Sequence, residues 1–154
     1  MLRVITLAGV AALSALVSAA TAQAPRAGVI VLQDQPGGFF PLHQRLFEVL
    51  EASGSNIEIR GKCTSGCTLV TVYIPKERLC FHKTAWLGFH HAASFYGAAI
   101  EVSQAMFDRY PQDIRTWLQQ KGGLEKMPHG AELWALLAPE LWKMGYRKCE
   151  ETMP

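Results

Sequence analysis

Residues 1–24 follow the pattern of a cleaved export signal, and this pattern sets how much chain remains to form a folded domain. Arg3 supplies a positive charge, an apolar run extends from Val4 to Val17, and the small residues at 22–24 form an A-x-A cleavage motif. The alternative is a membrane anchor, but a run of 14 residues is shorter than the roughly 20 that a transmembrane helix needs. Cleavage leaves 130 of the 154 residues, and we predict that 25–154 form one small domain.

The balance of charges argues against a nucleic-acid-binding protein. The chain has 15 basic and 13 acidic residues, and its net charge of +2 gives no broad positive surface for phosphates. No second apolar segment is long enough to span a bilayer, so we expect no stable membrane span after signal cleavage. These observations predict a periplasmic or secreted protein with no nucleic-acid partner.

An exported chain folds in an oxidising compartment, where cysteines pair as disulfides. The sequence contains an even number of them, namely the four residues Cys63, Cys67, Cys80 and Cys149. We predict two structural disulfides, in any of three connectivities, and favour a bridge to Cys149 that ties the tail to the core. The alternative is a metal site built from the first three of these cysteines and His82 or His90, but a C-x3-C spacing is poor for zinc. We therefore predict no metal and no cofactor.

Hydrophobic patterning in the first half predicts a strand, a glycine loop, a helix and a second strand. Gly28 to Leu32 is a short apolar run rich in β-branched residues, typical of a buried strand. A glycine pair at 37–38 follows, and apolar residues at helical spacing predict a helix from Leu42 to Ala52. Alternating residues then predict a short strand that ends at Gly61. This order of elements indicates a parallel α/β unit.

The second half mixes strands and helices. Leu69 to Ile74 would be a strand on propensity alone, because four of its six residues are β-branched. A further strand is predicted from Ala85 to His90. A longer helical region starts at Tyr96 and is broken at Pro111, and the apolar tail from Leu133 to Met144 is predicted to close the core.

Ser65 has the setting of a serine nucleophile. It lies in the turn-prone segment 62–67, where a predicted strand gives way to a new element, and Gly66 follows it directly. A tight turn presents the hydroxyl, and the next backbone N–H can donate to an oxyanion. Most serines in glycine-rich turns have no role beyond the turn, so the signal depends on its partners.

Two further features lie where partners of such a serine are needed. The pair Gly37-Gly38 follows a predicted strand, at the edge of a parallel sheet where α/β folds bind ligands. His90 and His91 follow another strand, and the alternation of side chains sends only one of them toward the site. Histidine titrates near neutral pH, which suits a general base. Three other histidines have no comparable setting and are predicted to lie at the surface: His43, His82 and His129.

The order of four motifs resembles the proteolytic subunit of the Clp protease and its relatives in the ClpP/crotonase superfamily. The motifs are PGG at 36–38, TSGC at 64–67, LGFH ending at His90, and APELWKMG at 138–145. The chain is most similar to the small exported ClpP-like proteins of proteobacteria, in which a C-x-S-x-C-T signature precedes a GFH motif. The resemblance covers about residues 28–149. It implies a reduced ClpP/crotonase-like α/β fold of repeated β-β-α type units with a mostly parallel sheet.

The same resemblance implies a catalytic site. Ser65 would be the nucleophile, His90 the general base, and the N–H groups of Gly38 and Gly66 the oxyanion hole. In this superfamily the element after the serine is a helix whose N-terminus faces the active site. We therefore expect residues 67–73 to be helical despite their β-branched content.

The sequence lacks the aspartate that would complete the expected catalytic triad at its usual position. The superfamily has an aspartate at the position that aligns with Leu133, and the adjacent Glu132 is the candidate to orient His90. Asp113 and Glu140 are weaker candidates. The chain is also too short for the segments that build the Clp ring and dock its ATPase, so ATP-dependent proteolysis is not implied. Whether the protein forms a homo-oligomer stays open.

Two functions follow from these residues, and the sequence leaves both open. The first is an exported serine hydrolase that acts as a peptidase on a peptide or acyl substrate without ATP. The second is a catalytically inactive module that uses the same fold for binding or assembly in the cell envelope, because a fold alone does not decide activity. Acyl-CoA chemistry of the crotonase type conflicts with export, since CoA thioesters are cytosolic.

Overall fold

A six-stranded sheet organises the domain. The computed structural model describes residues 28–94 and 97–150, and the predicted export signal lies outside the described residues. The strands are β1 (Val29–Gln35), β2 (Asn56–Thr64), β3 (Leu79–Phe81), β4 (Trp86–Phe89), β5 (Ala93–Ser94), β6 (Gly97–Ala98), β7 (Trp134–Leu137) and β8 (Arg147–Lys148). The helices are α1 (Phe40–Ala52), α2 (Val70–Tyr73), α3 (Ile100–Arg109), α4 (Gln112–Gln120), α5 (Gly123–Lys126) and α6 (Ala138–Lys143). Short 3-10 segments cover Ser65–Leu69 and Lys76–Arg78.

Strand β2 is the centre of the sheet. It pairs with β1 along one side and with β3 and then β4 along the other, and β8 and β7 continue these two branches. All of these pairings are parallel except that of β4 with β7. Strands β5 and β6 form a separate antiparallel pair. The prediction of a mixed α/β fold with a mostly parallel sheet is confirmed.

Strand β2 is longer than the sequence pattern predicts. The predicted end at Gly61 is wrong, because the strand continues through residues 62–64, which the pattern assigns to a turn. Gly61 has a φ of +72°, and the register between β1 and β2 shifts at this point. Asp34 Oδ1 accepts the N–H of Lys62 at 3.1 Å and bridges the irregularity. This β-bulge carries the strand on to Thr64 and so fixes where Ser65 lies.

Strand β1 lies at the edge of the sheet. The prediction of a buried strand is wrong, since within the described residues β1 pairs with β2 alone and one of its faces stays exposed. Val29 and Val31 are 58% and 43% exposed, whereas Ile30 and Leu32 pack against the core. An isolated apolar run does not reveal whether a strand has one neighbour or two, and this is why the sequence pattern misplaced it.

The second half closes the core largely as predicted. Helices α3 and α4 are separated at Pro111, and Leu136 and Leu141 from the apolar tail are fully buried. Helix α3 begins at Ile100, after β6, and the predicted start at Tyr96 lies outside the described residues. Strand β3 has no counterpart among the predicted strands, since three residues are too few for a hydrophobic period.

The segment after Ser65 is helical, although its residues favour strands. A 3-10 turn over Ser65–Leu69 leads into α2, which confirms the expectation drawn from the family resemblance. The hydroxyls of Thr68 and Thr71 donate to the carbonyls three residues earlier, at 2.6 and 2.9 Å. Val70 is fully buried. Side-chain hydrogen bonds and burial therefore override strand propensity in this segment.

Two disulfides join the four cysteines. Cys63 pairs with Cys67 across the turn that holds Ser65, and Cys80 in β3 pairs with Cys149, the residue after β8. This fits the predicted pair of bridges, including the one to the tail, and it is compatible with an exported protein. The alternative metal site is left without thiolate ligands, because all four cysteines are described and none is free. Of the described helices, none has the length and apolar character needed to cross a membrane.

Candidate active site

Ser65 takes the first position after β2, in a conformation that few non-glycine residues adopt. Its φ is +55°, in the left-handed region, where the backbone strain of a side-chain-bearing residue is about 1–3 kcal/mol. Two contacts hold the turn in this shape. Thr64 Oγ1 donates to the carbonyl oxygen of Pro36 at 2.8 Å, and the Cys63–Cys67 disulfide closes around the serine. A sharp strand-to-helix turn of this kind presents the nucleophile in many hydrolases.

Two hydroxyl groups, those of Thr68 and Tyr110, support the Ser65 turn through hydrogen bonds. The Thr68 hydroxyl donates to the Ser65 carbonyl at 2.6 Å, so its own oxygen is left to accept the Tyr110 hydroxyl at 2.5 Å. Burial raises the pKa of Tyr110 well above its ordinary value, and the hydrogen bond to Thr68 opposes this less strongly. Tyr110 therefore stays protonated and remains a donor. These two hydrogen bonds connect the C-terminal end of α3 to the main-chain carbonyl of Ser65.

The glycine loop after β1 packs directly on this turn. Gly37 has a φ of +82°, and a Cβ built on it would lie 2.3 Å from the Thr64 carbonyl oxygen and 2.6 Å from Ser65 Cβ. Only glycine fits there. Gly38 has a φ of +149°, and its carbonyl oxygen is 3.1 Å from the position that a Cβ on Gly66 would take. The two glycines expected to form the oxyanion hole are therefore neighbours.

His90 follows β4, and a backbone carbonyl fixes its tautomer. Its Nδ1 lies 2.8 Å from the carbonyl oxygen of Gly130. Because a carbonyl oxygen only accepts hydrogen bonds, Nδ1 carries the proton, and neutral His90 keeps Nε2 as an acceptor. A general base needs this tautomer to take a proton from a serine hydroxyl.

None of the carboxylates predicted to orient His90 forms a hydrogen bond with it among the described residues. Glu132 is exposed on the same loop as Gly130. Asp113 forms an ion pair at 2.5 Å with Lys76, and the Glu140 carboxylate accepts an N–H at the start of α6. The orienting hydrogen bond is thus made by a main-chain carbonyl and not by Glu132. A main-chain group leaves no trace in residue types, so sequence reasoning missed it.

The loop at residues 128–130 forms hydrogen bonds with both His90 and His91. The N–H of His91 donates to the carbonyl of Pro128 at 2.8 Å, and its ring stacks on His129 with 4.3 Å between centroids. The buried ring of His91 also donates from Nε2 to the carbonyl of Leu124 at 2.8 Å. His90 lines the cavity beside Ser65, whereas His91 packs into the domain, in line with the alternation of the strand.

A cavity of about 670 Å³ opens beside Ser65 and His90. Its walls come from the loop after β1, the Ser65 turn, the stretch after β4 and helix α3. Large apolar side chains dominate it, namely Phe39, Phe40, Val102 and Met106. No charged side chain is found among the described residues that line it. The volume is that of a small-ligand site, and the lining suits an apolar group.

Ser65 and His90 share this cavity without forming a hydrogen bond in the described structure. In active sites without substrate, catalytic hydrogen bonds are often long or poorly aligned and tighten only when substrate binds. The residues that the structure describes contain no group of three or more side chains placed to hold a metal ion. The polar side chains that face this cavity are the hydroxyl of Ser65 and the imidazole of His90, and these groups are suited to acyl transfer and proton transfer.

His43, predicted from the sequence to lie at the surface, lies beside the Ser65 turn. The half-buried ring lies against Gly66, where a built Cβ would be 2.9 Å from its Nδ1. The signal was present in the sequence, because a helix that directly follows a glycine loop brings its first turns to the ends of the strands.

Comparisons with known proteins support the fold. No protein-family model and no curated protein sequence matches the chain. The structure is similar to that of a mutant ClpP1 from Listeria monocytogenes, with a TM-score of 0.51 and 12% identity over 81% of this chain and 75% of that one. The chain has a ClpP-like fold. At this identity the similarity concerns the course of the backbone, and the roles of individual residues need their own argument.

Proposed function

We propose that the chain is an exported serine hydrolase that cleaves peptide or acyl substrates through Ser65 and His90. One observation carries the proposal: a serine held at φ +55° after the central strand lines the same cavity as a histidine whose Nδ1 proton is committed to Gly130. Each feature alone is common in loops. Together they supply a nucleophile that faces the cavity and a base in the correct tautomer.

The proposed reaction has two halves. Nε2 of His90 takes the hydroxyl proton as Ser65 Oγ attacks the acyl carbon, and the N–H groups of Gly38 and Gly66 bind the resulting oxyanion. The protonated histidine then gives its proton to the leaving amine or alcohol, which leaves an acyl-serine. Water attacks this ester with the same histidine as base, releases the acid and restores Ser65.

The group that orients His90 determines how fast we expect hydrolysis to be. The Gly130 carbonyl fixes the tautomer of His90, as a triad carboxylate would, but it brings only a partial charge to the imidazolium that forms during the reaction. We therefore expect a slower hydrolase than one with a complete Ser-His-Asp triad. The apolar cavity favours substrates with a bulky apolar group next to the bond that is cleaved.

The test is covalent labelling of the oxidised protein by a fluorophosphonate, which reacts with activated serines. We expect the parent chain to be labelled, Ser65→Ala to lose labelling completely, and His90→Ala to react at least about 100-fold more slowly. His82→Ala is the matched control, because His82 bonds to Thr84 in a loop outside the cavity and should leave the rate unchanged. A parent chain that no probe labels would overturn the proposal.

The role of the Gly130 carbonyl gives a second prediction. Gly130 has a φ of +66°, and a built Cβ meets no atom within 4 Å, so Gly130→Ala strains the backbone without a clash. Gly123 has a φ of +65° and the same open surroundings, which makes Gly123→Ala the control. Both variants should lose roughly 1–2 kcal/mol of stability. Only Gly130→Ala should slow labelling, by roughly tenfold, because it shifts the carbonyl that orients His90. Equal labelling rates in the two variants would contradict this role.

The second candidate is a non-catalytic binding or assembly module of the cell envelope. The observation in its favour is that Ser65 and His90 are not hydrogen-bonded in the described structure. It predicts that an apolar ligand binds in the cavity with no labelling of Ser65. The fluorophosphonate experiment therefore separates the two functions.

A further inference from the structure

His43 stands one turn into helix α1, directly after the glycine loop. Its Nδ1 lies 3.3 Å from the carbonyl oxygen of Phe39, so the ring is anchored to the start of its own helix. On its other side the ring is 6.2 Å from that of the buried Phe47, centroid to centroid. These contacts hold the imidazole in one place beside the Ser65 turn.

The imidazole lies beside both glycines of the expected oxyanion hole. A Cβ on Gly66 would lie 2.9 Å from its Nδ1 and 3.0 Å from its Cγ. A Cβ on Gly38 would lie 3.4 Å from its Cε1. The ring therefore takes up space that a side chain at Gly66 would need, and it lies at van der Waals distance from the position of a side chain at Gly38. Gly38 and Gly66 have no side chains of their own that could fill this space.

The consequence concerns the distance between two main-chain segments. Gly38 is in the loop after β1, and Gly66 is in the turn after β2. Their N–H groups can stabilise an oxyanion only if they converge on one point, and the loss of one such donor lowers a rate by about 10²–10³. A flat ring that lies beside both glycines limits how closely the two segments can approach each other. Without it, the loop after β1 has room to move toward the empty space.

We propose that His43 is a positioning residue for the oxyanion hole, an inference that rests on the proposed function. Its ring volume holds Gly38 and Gly66 at the spacing that the reaction requires. It takes no part in proton transfer, which belongs to His90. The inference therefore predicts that another aromatic ring can replace it and that a small side chain cannot.

The test compares His43→Ala and His43→Phe by the kinetics of fluorophosphonate labelling. For His43→Ala we expect the maximal labelling rate to fall about tenfold, with the probe concentration at half-maximal rate within twofold of the parent. His43→Phe keeps the ring and should restore the rate to within about threefold. His82→Ala, which removes a histidine outside the cavity, should leave both parameters unchanged. A loss of general stability would not produce this separation of rate from binding, nor the rescue by phenylalanine.

A second measurement does not depend on activity. In a ¹H–¹⁵N spectrum, His43→Ala should shift the amide resonances of Gly38 and Gly66, and His82→Ala should not. If the alanine variant does not fold, His43→Asn serves in its place, since it keeps a group near Nδ1 but loses the Cε1 contact with Gly38.

The outcomes separate the two proposals. A labelled parent together with His43→Ala or His43→Asn labelled at the parental rate overturns the role of His43 alone. A phenylalanine variant as slow as the alanine variant also overturns it, because ring volume would not then be what matters. A parent that is not labelled overturns the proposed function and this inference with it.

Discussion

Removal of the Cys80–Cys149 disulfide, in a Cys80→Ala/Cys149→Ala double variant, is expected to lower the free energy of unfolding by about 4 kcal/mol. The bridge spans 69 residues, and a cross-link across so long a loop removes much of the conformational freedom of the unfolded chain. It also supports a weak part of the sheet, because β8 joins β3 through two paired residues only. Urea unfolding of the oxidised parent and the variant measures the difference.

The Cys63–Cys67 bridge is the matched control, because both of its cysteines are also buried. Its sequence separation is 4, so the same dependence on loop length gives about 2 kcal/mol. The effects on labelling should be reversed. Loss of the short bridge frees the turn that holds Ser65 and should slow labelling by roughly tenfold, whereas loss of the long bridge should not slow it while the protein stays folded. Equal losses of unfolding free energy in the two double variants would contradict the dependence on loop length.

The parts of the site that the sequence predicts are those encoded locally. A serine before a glycine, a glycine pair after a strand and a histidine after another strand are each visible within a few residues. The parallel arrangement then brings the ends of these strands to one edge of the sheet, which is why the structure places Ser65, Gly38 and His90 on one cavity. Helical spacing and Pro111 likewise predict α1 and the break between α3 and α4.

The parts that the sequence does not reveal depend on tertiary contacts or on the main chain. The Gly130 carbonyl accepts the hydrogen bond from Nδ1 of His90, and any residue type would offer the same main-chain group. His43 looks like an ordinary helix residue until α1 is packed on the Ser65 turn. The edge position of β1 depends on strand order, and the bulge at Gly61 depends on the pairing of two strands. Propensity and periodicity describe one segment at a time and carry none of this information.

Gly37→Ala is expected to slow fluorophosphonate labelling at least about 100-fold, because it displaces the turn that carries the nucleophile. The new methyl group would lie 2.3 Å from the Thr64 carbonyl oxygen, 2.6 Å from Ser65 Cβ and 3.1 Å from the Gly66 nitrogen. Two of these three contacts are shorter than 3.0 Å, and they involve the main chain or the first side-chain atom, so no side-chain rotation relieves them. The glycine loop and the Ser65 turn must move apart.

Gly145→Ala is the control that separates the effect of this clash from the effect of backbone strain. Gly145 has a φ of +89°, close to the +82° of Gly37, but a built Cβ there meets no atom within 4 Å. Both alanine variants should therefore lose roughly 1–2 kcal/mol of stability for the left-handed backbone, and Gly37→Ala should lose more. Labelling should stay near the parental rate in Gly145→Ala. If Gly37→Ala is folded and labelled as fast as Gly145→Ala, the contact between the glycine loop and the serine turn does not position Ser65. The two substitutions have a similar cost in backbone strain. If labelling is lost in Gly37→Ala alone, the loss is therefore caused by the clash with the Ser65 turn.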